Sequence, residues 1–148
     1  MKKLLFLYFL FCCALASANK PEQKANDSRC QYSFEDICLK VNFISEISRK
    51  KSADFRVRVT KGEKNLELEE TPKMKLWMKM KNGHEHGSEP LKITKKTKGI
   101  FLVSNVWLLM QGQWEIQGSF VYKGENKKFE VPVCVGRLPK DSYLGACK

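Results

Sequence analysis

The chain has 148 residues, with 27 Lys and Arg against 16 Asp and Glu, and a formal charge of +11. That length suits one domain, and the charge suits an anionic surface: membrane headgroups, a cell-wall polymer or an acidic protein. No recognition-helix pattern and no aromatic-basic motif accompanies the charge, which argues against nucleic acid as the partner.

The N-terminus reads as an export signal. Met1-Lys2-Lys3 is a basic start, Leu4 to Leu15 is apolar and uncharged, and Ala16-Ser17-Ala18 offers small residues for cleavage before Asn19. The apolar run is too short for a membrane span, which needs roughly 20 apolar residues. Cys12 and Cys13 within the run would permit a lipoprotein, but Phe11 stands where a small residue is expected. Residues 1–18 are therefore read as a signal peptide, 19–29 as a polar, flexible leader, and 30–148 as one folded domain. The mature chain is expected to be soluble and exported, periplasmic or extracellular. Loss of Lys2 and Lys3 takes the formal charge from +11 to +9. The sequon Asn26-Asp27-Ser28 matters only in a glycosylating pathway.

After the leader the hydrophobic period is two. Leu39, Val41 and Phe43 alternate with polar neighbours, as do Phe55, Val57 and Val59. Lys73 to Lys81 alternates with Met74, Leu76, Met78 and Met80 on one face. Leu91 and Ile93 follow, then the apolar run Ile100 to Val106, then Trp114 to Tyr122, then Phe129, Val131, Val133 and Val135. Lys61-Gly62, Asn82-Gly83, Lys98-Gly99, Gln111-Gly112 and Lys123-Gly124-Glu125-Asn126 mark the turns between them. Glu67, Glu69 and Glu70 read as a charged strand face and turn. Short strands with frequent turn signals predict an all-β, antiparallel β-sandwich of about seven or eight strands. Pro132 marks the last strand as an edge or a bulge. Trp114 is expected in the core.

Four cysteines remain after the leader: Cys30, Cys38, Cys134 and Cys147. An even number in an exported chain implies structural disulfides. Cys38 and Cys134 each lie opposite the apolar face of their strand, so the bridges belong at the margins. Cys30–Cys38 with Cys134–Cys147 is placed ahead of the crossed pairings.

The chemistry concentrates in one stretch. His84 and His86 are the two histidines of the chain, and Met78 and Met80 lie just before them. Thioether and imidazole donors favour copper. With Met110 beside a neighbouring turn, Met78, Met80, His84 and His86 form a candidate copper set. Glu85 or Glu89 would orient an imidazole. Zinc fits poorly, because no cysteine is near and two histidines do not close a tetrahedral site. The structural alternative is a methionine stripe packing the core and histidines in an exposed turn. Lys75, Trp77, Lys79 and Lys81 occupy the opposite face and form a candidate partner-binding surface.

The order Trp77-Met78, His86-Gly87-Ser88-Glu89-Pro90, Gly99-Ile100-Phe101-Leu102-Val103 and Met110-Gln111-Gly112-Gln113-Trp114-Glu115-Ile116 resembles the YtkA-like domain, related to the FixH proteins. The resemblance covers roughly Phe55 to Tyr122. It implies an immunoglobulin-like sandwich, export or membrane anchoring, and a link through the FixH relatives to assembly of copper-containing oxidases. Met78, His86 and Met110 match the recurrent Met and His positions. Lys79 stands where the family has proline, and the turn is expanded by His84.

No nucleophile elbow, phosphate-cradling loop or paired carboxylates appear, so no enzyme is expected. The reading is an exported, non-catalytic accessory protein that handles copper through a Met/His turn. The alternative is an exported β-sandwich module that binds an envelope protein or anionic surface through its basic face.

Overall fold

The structure, a computed structural model, describes residues 30–80, 82–136 and 144–147. The signal peptide and leader expected over 1–29 lie outside the described residues, as does Lys81.

The alternating segments form strands, and no helix occurs among the described residues. They are β1 (Tyr32–Phe34), β2 (Ile37–Phe43), β3 (Ala53–Lys61), β4 (Lys64–Asn65), β5 (Lys73–Lys79), β6 (Glu85–Gly87), β7 (Lys92–Thr97), β8 (Ile100–Val106), β9 (Gly112–Tyr122) and β10 (Glu125–Val135). Ten strands exceed the seven or eight read from the pattern. The excess is β1, β4 and β6, of two or three residues each. Segments that short carry too few alternations to register as periodic. The sequence pattern also ran β5 to Lys81, whereas pairing with β9 stops at Met78 and the strand stops at Lys79. Glu67, Glu69 and Glu70 lie in no strand but in the connection between β4 and β5.

Two antiparallel sheets result. One runs β1-β2-β3-β8-β7, with β4 beside β3, and the other β10-β9-β5-β6. Their inner faces carry the apolar half of each alternation. Leu39, Val41, Phe55, Val57, Phe101 and Val103 come from the first sheet, and Leu76, Trp114, Ile116, Val131 and Val133 from the second. They merge into one core cluster. Phe34 of β1 meets Phe120 of β9 edge to face at 5.6 Å, joining the sheets directly. Each fully buried side chain of this size contributes about 1.5–3 kcal/mol of transfer free energy. Trp114 is the largest of them, and its indole N–H donates to the Met110 carbonyl at 2.9 Å, so no polar atom is stranded.

Both disulfides pair neighbours in sequence, Cys30–Cys38 and Cys134–Cys147. Cys134 points away from the core face yet is only 5% exposed, because the C-terminal segment folds over it. That segment also covers the β10 edge. Leu144 bridges to Val133, and Gly145 N–H donates to the Pro132 carbonyl at 2.8 Å. Since the Pro132 carbonyl points to this outer side, its nitrogen does too, and the missing N–H costs β9 no ladder bond. The Gln113 side chain accepts from Cys147 N–H at 2.6 Å and donates to the Gly145 carbonyl at 3.5 Å.

The connections divide between two ends. The β2–β3 loop, the β8–β9 loop and the β5–β6 hairpin share one end, because Phe43 opposes Phe55, Ala53 opposes Val106, and Met78 opposes Trp114. The β1–β2, β3–β4, β7–β8 and β9–β10 turns share the other.

Candidate functional site

The β5–β6 hairpin assembles the Met/His stretch. Gly83 N–H donates to the Met80 carbonyl at 3.0 Å, and Met80 N–H donates to the His84 carbonyl at 2.8 Å. Gly83 takes φ +82°, a conformation that glycine alone adopts freely. The Asn82 side chain accepts from His84 N–H at 3.1 Å. The turn is thus specified by Asn82-Gly83, as such dipeptides commonly specify hairpins.

Register then decides which side chains meet. Met78 lies opposite His86, Lys79 opposite Glu85, and Trp77 opposite Gly87. Residues directly opposed in an antiparallel pair share a face, with Cβ atoms about 4.5–5.5 Å apart. Met78 and His86 therefore share the inner face. Alternation adds Met80 and His84, whose backbones are bonded, to the same side. The sequence places four candidate ligands in a row; the hairpin arranges them as two Met–His cross-strand pairs.

The members differ in burial. Met78 is 6% exposed and belongs to the core. Its Cε lies 2.7 Å from where a Cβ on Gly112 would stand. Met80 and Met110 are half-buried against the core, while His84 and His86 are exposed. Met110 sits in the loop that leads to Gly112, and its carbonyl is held by the Trp114 indole. Met78 is accordingly a packing residue by position, with the open coordination chemistry in Met80, His84 and His86. Among the described residues, no three His, Cys, Asp or Glu side chains gather as a metal-binding group. Any ligand set here draws on thioether sulfur.

The opposite face carries the basic residues. Lys75 Nζ lies 4.5 Å from the Trp77 ring centroid, a cation–π contact. A Cβ on Gly87 would come to 3.1 Å of the Trp77 ring, so Gly87 is the seat on which the indole lies. Trp77 is half-buried and faces outward. Lys79 pairs with Glu85 at 3.8 Å. Further along this sheet, Lys73, Lys75, Gln117, Ser119, Lys128 and Glu130 border a shallow concavity of about 480 Å³. Sequence reasoning missed Gly87 and Gly112 as the supports of Trp77 and Met78. Their positions directly before Ser88 and two before Trp114 were visible, but close approach across strands is not readable from one strand.

An antiparallel two-sheet sandwich with a Met/His hairpin at one end, and Met110-Gln111-Gly112-Gln113-Trp114 packed behind it, defines a class of small β-domain. The YtkA-like family model matches residues 38–118, more than half of the chain, and the protein belongs to that family. No curated protein and no solved structure matches it.

Proposed function

We propose that the protein is an exported, non-catalytic accessory factor that handles copper at the β5–β6 hairpin. The pairing of Met78 with His86 and of Met80 with His84 on one face carries this reading. Met80, His84 and His86 would hold the ion, with Met110 and the buried Met78 as further thioether donors. Such a mixed sulfur and imidazole set favours Cu(I) over harder cations. Glu85 is engaged by Lys79, which leaves Glu89 as the carboxylate available to orient an imidazole. Export is supported by the basic-then-apolar N-terminus and by two disulfides, which persist in oxidising compartments.

The test is Cu(I) titration against a competing chelator, with His84→Ala/His86→Ala alongside. The expected result is one-to-one binding in the native chain and its loss in the variant. Undiminished affinity in the variant would remove the site.

A second reading draws on the outward face. Lys73, Lys75 and Lys128 around the concavity, with Trp77 adjoining, suit an acidic protein partner. Under this reading Lys75→Glu/Lys128→Glu abolishes partner capture and leaves copper affinity unchanged.

A further inference from the structure

Unpaired positive charge is concentrated in one loop at the hairpin end of the sandwich. At the turn end Lys61 pairs with Asp36 at 2.6 Å, and Lys127 with Glu125 at 2.5 Å and Glu35 at 3.6 Å, while Lys64, Lys98 and Lys123 stand apart from one another with no ion-pair partner among the described residues. At the hairpin end, Arg49, Lys50 and Lys51 stand consecutively in the β2–β3 loop. All three are exposed, and none has an ion-pair partner among the described residues. That loop holds a single acid, Glu46, and the β8–β9 loop Trp107-Leu108-Leu109-Met110-Gln111 holds none.

The same end carries the exposed apolar side chains. Among the described residues the large hydrophobics left open to solvent are Ile44, 53% exposed, and Leu109, 55% exposed. Ile44 is in the β2–β3 loop and Leu109 in the β8–β9 loop. Ile44 N–H bonds to Asp54 on one side of β3, and Ala53 opposes Val106 on the other. The two loops are thus rooted two strand spacings apart, roughly 10 Å. At the root of the β8–β9 loop Trp107 is half-buried, with its indole N–H donated to the Asn105 side chain at 2.8 Å. An aromatic with an apolar body and a satisfied polar tip suits a membrane interface.

We infer that this end of the sandwich docks on an anionic lipid bilayer, with Ile44 and Leu109 entering the headgroup region and Arg49, Lys50 and Lys51 meeting lipid phosphates. A protein partner would call for a contiguous patch of matched shape. Here the apolar groups stand singly on separate loops, an arrangement that a fluid interface accommodates and that gains from basic neighbours. The inference does not rest on copper binding. If both hold, the bilayer contact sets His84 and His86 close to the membrane surface.

The test uses the chain from Asn19 onward, the form expected after signal cleavage. It is sedimented with vesicles of phosphatidylcholine alone, or of an equimolar mixture with phosphatidylglycerol. Binding to the anionic vesicles is expected, weakening as salt rises. Ile44→Asp/Leu109→Asp should lower the vesicle affinity about tenfold or more, and Arg49→Glu/Lys50→Glu/Lys51→Glu should do the same. All five side chains are exposed, so the unfolding midpoint should stay near the parent value. Absence of binding to anionic vesicles would overturn the inference. So would binding that ignores the Ile44 and Leu109 substitutions, which would place the contact on charge elsewhere.

Discussion

The terminal methyl of Met78 occupies the space that a side chain at Gly112 would need. A Cβ there would stand 2.7 Å from Met78 Cε, and Gly112 also takes φ +129°. Gly112→Ala is therefore strained chiefly by its backbone, since the overlap falls on the far end of the flexible Met78 side chain, which can shift. A loss of about 1–3 kcal/mol is expected, read from urea unfolding. Combined with Met78→Ala, the steric part disappears and the double variant should lose less than the sum of the two single losses. Strict additivity would show that the contact carries no energy.

Met78 and Met80 should separate stability from metal affinity. Met78→Ala opens a cavity beside Trp114, its register partner on β9, and is expected to cost about 2–5 kcal/mol. Met80 is only half-buried, so Met80→Ala should cost under about 1 kcal/mol. If the hairpin holds Cu(I), Met80→Ala lowers copper affinity with little change in unfolding midpoint. Equal stability losses at both positions would contradict the burial difference.

The C-terminal segment is held by Cys134–Cys147 and by Gln113. The cysteines are 13 residues apart, and a bridge across about 15 residues is worth about 3 kcal/mol in the chain-entropy account. Cys147→Ser should approach that loss. The Gly145 and Cys147 amides, bonded to Pro132 and Gln113, should lose hydrogen-exchange protection first. Retained protection at both would mean that the hydrogen bonds to Pro132 and Gln113 hold the segment without the disulfide.

Asp36 accepts a hydrogen bond from Lys61, which holds its carboxyl below the usual carboxylate value, and the Lys61 charge lowers it further. The same hydrogen bond raises Lys61 above the usual lysine value. A lowered Asp36 stabilises the fold above its unfolded value, and that share is lost as pH falls through the folded value. A raised Lys61 stabilises the fold below its unfolded value, and that share is lost as pH rises through the folded value. Both groups are exposed, so the effect on stability is small. The NMR titration of the Asp36 carboxyl should move up toward the ordinary range in Lys61→Met. An unmoved titration would show that the pair does not persist in solution.

The core strands were readable because their alternation is long. Phe55-Arg56-Val57-Arg58-Val59 and Trp114-Glu115-Ile116 each state an inner and an outer face, and burial follows them residue by residue. The edge position of the strand bearing Pro132 followed from its missing donor. The pairing Cys30–Cys38 and Cys134–Cys147 was favoured by side-chain parity, but the burial of Cys134 was not, because it depends on a covering segment of another part of the chain. The strands β1, β4 and β6 escaped notice because two or three residues show no period.

The amino-acid sequence by itself determined the all-β class, the core faces, the turn at Asn82-Gly83 and the candidate residues Met78, Met80, His84, His86 and Met110, since each rests on local chemistry or on period two. Tertiary structure alone decided that Met78 faces His86 across β5 and β6, that Gly112 makes room for Met78, that Gly87 seats Trp77, and that Ile44 and Leu109 emerge at the same end as Arg49, Lys50 and Lys51. These are relations between segments distant along the chain or across a turn. They are set by register and by the order of strands in each sheet, which no single strand encodes.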